Sequence, residues 1–220
     1  MIDRDMIWKA VDTERLALAD LLERLPDDEW ARPSLCDGWT ARDVAAHLTQ
    51  QQVGFGAALA MLIRAHGDVG RGIRDAARRR AAAWSTGQII AAIRGMVGSR
   101  RHNAGVTCRE TLIDILVHTQ DIVIPLGRDH AMPTRAAVVA ADRLWSMRWP
   151  PPLPGRRRMT GFRLVATDAD WAIGAGPEVH APISAIVLLT AGRLTALSDL
   201  YGPGAPELTA RLSSQGTRVR

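Results

Sequence analysis

The segment Glu110-Thr111-Leu112-Ile113-Asp114-Ile115-Leu116-Val117-His118-Thr119-Gln120-Asp121-Ile122 constrains this chain more than any other. Its aliphatic residues are spread too widely around a helix to lie on a surface, so the segment must run through a core. Yet Glu110, Asp114, His118 and Asp121 recur at spacings of four, four and three, which lines them along one helical side. A carboxylate buried among apolar neighbours costs several kcal/mol unless a cation or a good donor meets it. The fold therefore has to bring a partner to this stripe.

Two readings of the stripe stay open. Asp114 and His118 can give an oxygen and a nitrogen to one cation from a single helix. They can also form an ordinary helical pair worth a few tenths of a kcal/mol. A metal site needs a further ligand from elsewhere, and the segment Ser34-Leu35-Cys36-Asp37-Gly38-Trp39-Thr40-Ala41-Arg42-Asp43-Val44-Ala45-Ala46-His47-Leu48 offers His47. The set His47, Asp114 and His118 would leave a coordination position open, the mark of a catalytic rather than a structural site. Nitrogen and oxygen donors without thiolate suit zinc, and also nickel, iron or manganese. Glu110 and Asp121 then stand as outer partners that hold a histidine ring, or as alternative ligands.

Composition narrows the function classes. The chain has 220 residues, 47% hydrophobic and 23% charged, which suits a globular protein with a sizeable core. The longest apolar stretch, 181–191, is too short and interrupted to span a bilayer. No basic region followed by an apolar block opens the chain, so a cytoplasmic location without a signal peptide is expected. Cys36 and Cys108 are the only cysteines and form no CxxC pair; this excludes an all-cysteine zinc site and disfavours a disulfide scaffold. Cys36 is expected to pack as a small hydrophobe beside Trp39, with a pKa lowered by the following helix N-terminus as the competing reading. The net charge is +5. Its arginine clusters, 78–80, 100–101 and 156–158, are scattered and lack interleaved aromatics, so a nucleic-acid partner is disfavoured. The same field would attract a small anionic substrate.

Helical periodicity predicts elements over 6–24, from Thr40 toward 64, over 73–99 with a break near Gly87, over 107–124 and over 134–149. Thr40 with Asp43 three positions on makes an acidic variant of the capping box. The Pro/Arg-rich run 150–158 reads as a stiff non-helical linker. Beyond it, 162–167 alternates as a strand, 171–174 returns as a hairpin partner, and 182–191 and 205–212 read as helices. The fold class is therefore α+β: an N-terminal antiparallel four-helix bundle (1–149), the linker (150–158) and a small C-terminal α+β domain (159–220).

The run from Cys36 to Leu48 resembles the signature of the mycothiol-dependent maleylpyruvate isomerase family, in the DinB-like metalloprotein superfamily. The run from Asp114 to Ile122, followed by Pro125-Leu126-Gly127, is similar to that family's second block. The likeness extends over the bundle and more weakly over the α+β tail. It implies a DinB-like bundle with His47 as first ligand and Asp114 and His118 as the helical pair. The characterised isomerase has Glu where this chain has Asp114, a shorter arm that alters reach. A family arginine from the C-terminal domain falls on Arg193, with Arg163 competing. The implied cofactors are a divalent metal, zinc first, and mycothiol. The implied partners are that thiol, a small anionic substrate and, by the habit of the superfamily, a second copy in a homodimer. The implied activity is thiol-dependent isomerisation or S-transfer. A metal-dependent hydrolase on the same scaffold is the first alternative. A non-catalytic metal- or ligand-binding stress-response protein is the second.

Overall fold

The structure, a computed structural model, describes residues 3–148, 151 and 153–214. The chain divides into two compact units, Met1–Ala131 and Met132–Arg220. The first contains α1 (Arg4–Glu23), α2 (Asp27–Trp30), α3 (Ala41–Leu48), α4 (Phe55–Arg64), α5 (Val69–Ala83), α6 (Thr86–Gly95) and α7 (Cys108–Val123). The second contains α8 (Thr134–Ser146), α9 (Pro154–Met159), β1 (Arg163–Ala166), β2 (Ala172–Gly174), β3 (Glu178–Ala181), α10 (Ile183–Thr190), a 3-10 helix (Leu194–Asp199) and α11 (Ala205–Ser213). The fold is thus α+β, with a helical N-terminal unit and a small three-stranded sheet with helices at the C-terminal end.

In the first unit α7 is central, packed on α1 and α3, while α1 also meets α6 and α3 meets α5. Leu112, Ile115, Leu116 and Ile122 of α7 are fully buried, each removing roughly 1.5–3 kcal/mol worth of apolar surface from water. Local chemistry places the helix starts. The capping boxes Thr40/Asp43, Ser85/Gln88 and Thr107/Glu110 open α3, α6 and α7, each satisfying two orphan backbone donors.

The expected helix from Thr40 toward 64 is two helices. Between them Val53 donates its N–H to Asn103 Oδ1 at 2.7 Å and accepts from Ala104 N at 3.1 Å. These long-range bonds take the backbone groups that a continuous helix would have used. The expected 73–99 helix starts earlier, on the Asp68 cap, and is interrupted at Trp84, which is extended at φ −108° and ψ 142°. The turn at 27–30, expected as connector, is the short α2.

In the second unit β1 is central, antiparallel to β2 and parallel to β3, with Leu164 opposite Ile173 and Val179. Leu164, Ala166, Val179 and Ala181 point into the core and α10 is buried along almost its whole length. The hairpin of β1 and β2 agrees with the sequence reading; β3, a four-residue strand of Glu178-Val179-His180-Ala181, carries too short an alternation to be read from sequence.

The unit boundary differs from the expected division. It falls between Ala131 and Met132, which puts α8 in the C-terminal unit. Its Ala137, Ala140, Ala141 and Leu144 are buried, it packs on α10, and Asp142 Oδ1 accepts the Trp171 indole N–H at 2.8 Å. Part of the expected linker is helical as well: α9 begins on Pro154, the position at which a missing N–H costs nothing. Trp149, Pro150 and Pro152 lie outside the described residues. Among the described residues no helix is long and apolar enough to cross a membrane.

Candidate metal centre

His47 stands in the last turn of α3, and Asp114 and His118 stand one turn apart on α7, against which α3 packs. Asp114 Oδ1 is their meeting point, 3.3 Å from His47 Nε2 and 3.4 Å from His118 Nε2. All three donor atoms lie within 4.8 Å of one another. The imidazoles are edge to face with centroids 4.8 Å apart. Side-chain exposures of 15%, 28% and 17% for His47, Asp114 and His118 leave the group reachable from solvent while holding it within the packed helices.

The loop before α3 closes onto the same site. Ser34 N bonds Trp39 O at 2.9 Å and Trp39 N bonds Cys36 O at 3.0 Å, a tight turn that needs Gly38 at φ +68°. Leu35 N bonds the backbone carbonyl of Asp121 at 3.0 Å, which ties the loop to α7. Trp39 then covers both rings, 5.3 Å from His47 and 6.4 Å from His118 between centroids.

Outer contacts orient the candidate ligands. Asp121 is fully buried, and its Oδ2 sits 2.8 Å from His118 Nδ1. An ionised carboxylate only accepts, so Nδ1 carries the proton and Nε2 turns its lone pair toward Asp114 when the ring is neutral. This is the carboxylate–histidine arrangement that commonly backs a metal ligand. The Cys36 thiol donates to the same Oδ2 at 3.1 Å and lies 3.6 Å from His118 Nδ1. On the other side Gln51 Nε2 donates to Asp114 Oδ2 at 2.8 Å.

Charge is balanced against burial. Burial opposes ionisation of Asp114, but the neighbouring His47 and His118 hold its carboxyl well below the usual carboxylate range. Burial also opposes a charge on His118, and its hydrogen bonds to Asp114, Asp121 and Cys36 override it, so the ring keeps its proton well above the usual imidazole range. A site that pairs an anionic oxygen with two clustered imidazoles in this way holds the donor chemistry of a borderline divalent cation. The residues present fit such an ion.

The other expected residues fall differently. Asp121 meets His118 Nδ1, whereas Glu110 caps α7, its carboxylate accepting from Thr107 N at 2.7 Å. Cys36 was expected as packing beside Trp39; its sulfur instead meets the buried Asp121 carboxylate, and Cys36, His118 and Asp121 form a second His/Cys/Asp group. Arg193 is the N-cap of the 3-10 helix in the C-terminal unit, half-buried, donating to Ala191 O at 2.6 Å. Arg163 is exposed and pairs with Glu178 at 3.3 Å. Sequence reasoning missed Gln51 and Arg15. Arg15 had a visible signal, a charged residue between Val11 and Leu18 on the inner face of α1. Gln51 had none, because it lies outside any regular element.

Comparison with known proteins agrees with this architecture. Residues 11–105 match the family model of the mycothiol maleylpyruvate isomerase N-terminal domain. That match contains Cys36, His47 and Gln51 and stops short of Asp114 and His118. A crystal structure of a histidine-to-alanine mutant of the mycothiol-dependent maleylpyruvate isomerase is similar at 16% identity, covering 87% of this chain and 90% of that one, with a TM-score of 0.51. The crystal structure of the mycothiol-dependent maleylpyruvate isomerase itself aligns over the same shares at 16% identity and a TM-score of 0.44. No curated protein matches the chain in sequence. The resemblance carried by the Cys36–Leu48 block thus extends to a domain match in the helical unit and a shared fold over most of the chain.

Proposed function

We propose that this protein is a metal-dependent enzyme that uses a low-molecular-weight thiol, mycothiol, to isomerise or transfer to a small anionic substrate. The observation that carries the reading is the convergence of His47 Nε2, Asp114 Oδ1 and His118 Nε2, with Asp121 Oδ2 2.8 Å from His118 Nδ1 on the far side of the ring. His47, Asp114 and His118 would hold the ion, zinc being the first choice for this donor set. When bound, a divalent cation there would stabilise a thiolate, whose free pKa is about 8.5, as a nucleophile at neutral pH. Asp121 and Cys36 keep the His118 ring in place, Gln51 holds Asp114, and Trp39 excludes water from one side of both imidazoles. Arg193 is proposed, by the family likeness, as the guanidinium for a substrate carboxylate, since a planar fork of donors matches that group.

The match of residues 11–105 to the mycothiol maleylpyruvate isomerase N-terminal domain favours a thiol-using reaction over hydrolysis on the same scaffold. Elemental analysis of the protein purified without added metal, beside His47→Ala and His118→Ala, tests the site. The expected result is a divalent metal near one equivalent in the unaltered chain and a large loss in both variants; equal content in all three would sink the site. Calorimetry with mycothiol on the metal-loaded chain tests the thiol. An absence of heat at millimolar thiol would shift the reading to a hydrolase or a ligand-binding protein.

A further inference from the structure

We propose that Gln51 and Arg15 form a positioning relay that presents Asp114 through one oxygen, keeping Oδ1 for the cation and the remaining coordination positions for molecules from solution. The inference rests on the metal reading above and concerns residues that no ligand motif contains.

The chain of contacts begins deep in the first unit. Arg15 of α1 has no exposed surface. Its Nε and one terminal nitrogen donate to Gln51 Oε1 at 3.2 and 3.0 Å, and the other terminal nitrogen donates to Met96 O at 2.9 Å. A guanidinium offers donors only, so the Gln51 carbonyl has to face it. That removes the usual ambiguity of a side-chain amide: turning it over would set NH2 against the guanidinium. The Gln51 amide nitrogen is therefore delivered to Asp114, 2.8 Å from Oδ2. Gln51 itself is 2% exposed, so water does not compete for either end.

The consequence lies in the two oxygens of Asp114. Oδ2 is engaged by Gln51, while Oδ1 faces both imidazole nitrogens at 3.3 and 3.4 Å. An aspartate without that N–H donor could rotate and bring both oxygens to the ion, using a position that a thiol or substrate needs. Each α7 ligand thus has its own holder from outside its turn of helix or one turn on: Asp121 for the His118 ring, Gln51 for the Asp114 carboxylate. The turn that breaks the helix after Leu48 is what sets Gln51 at this place, and its tether to Asn103 through Val53 keeps it there.

Cobalt(II) binding to the full chain is the test, read both as affinity and as the visible ligand-field band, which weakens as coordination number rises. The variants are Gln51→Met, which removes the donor to Asp114, and Arg15→Met/Gln51→Met, which also removes the guanidinium that the single change would strand. Both are expected to bind cobalt about 10–100-fold more weakly with a weaker band, and the double variant is expected to lose no more than the single one. Helical circular dichroism checks that each is folded; if the single variant is not, the double variant carries the test. A folded variant with unaltered affinity and band would overturn the relay while leaving the metal site intact. An unaltered chain that takes up no cobalt would overturn the metal reading, and the relay with it.

Discussion

Replacing Asp121 with asparagine isolates what the outer carboxylate does for His118. The substitution keeps shape and leaves an amide oxygen able to accept from Nδ1, now 2.8 Å from Oδ2, and from the Cys36 thiol, now 3.1 Å away. What disappears is the charge. A hydrogen bond to a charged partner contributes roughly 1.5–3 kcal/mol net and a neutral one roughly 0.5–1.5. The difference is about 1–1.5 kcal/mol, and about 1.4 kcal/mol is tenfold in an equilibrium constant. Asp121 has no exposed surface, so solvent screening does not erode that difference. Asp121→Asn should therefore bind zinc roughly tenfold more weakly, within the range of about 10–100-fold typical of outer-sphere partners. Competition against a chromogenic chelator at fixed pH measures it, with helical circular dichroism as the check on folding. A folded variant whose zinc affinity stays within about twofold of the unaltered chain would refute the argument that Asp121 orients His118.

Two further outcomes follow from the same physics. Because His118 holds its proton well above the usual imidazole range and Asp114 is already ionised, metal uptake at neutral pH should release about one proton and weaken as pH falls; calorimetry in two buffers of different ionisation enthalpy should give different heats, and identical heats would contradict it. In the C-terminal unit α9 packs on α10, and a Cβ on Gly155 would collide with the backbone oxygens of both Leu189 and Thr190, so Gly155→Ala should cost about 1–3 kcal/mol and lower the urea midpoint, whereas Gly56→Ala, with nothing within 4 Å, should be neutral or stabilising; equal midpoints for the two would show that α9 and α10 do not approach this closely.

Much of the helical unit and the grouping of the candidate ligands on α7 is legible in the chain because it is written in local chemistry. Thr40 and Asp43 start α3 wherever the chain goes next, and the four-residue step from Asp114 to His118 places both on one side of α7 in any fold that keeps the helix. The alternation of 162–167 likewise announces β1 and its hairpin. Elements that depend on distant partners are different. The break after Leu48 is made by hydrogen bonds to Asn103 and Ala104, fifty residues away. Strand β3 exists because β1 offers it a parallel edge, and α8 belongs with α10 because their apolar faces meet, which periodicity cannot distinguish from a face turned toward the bundle.

The sequence by itself determined which residue types were available to a site and which of them had to lie near each other on one helix. Only the tertiary structure decided what each meets: Glu110 the start of α7, Asp121 the His118 ring and the Cys36 thiol, Gln51 the Asp114 carboxylate, and Arg15 the Gln51 amide. The reason is physical. A side chain's spacing along a helix is set by backbone geometry within a few residues, whereas its hydrogen-bond partner is chosen by packing between elements that the chain separates widely.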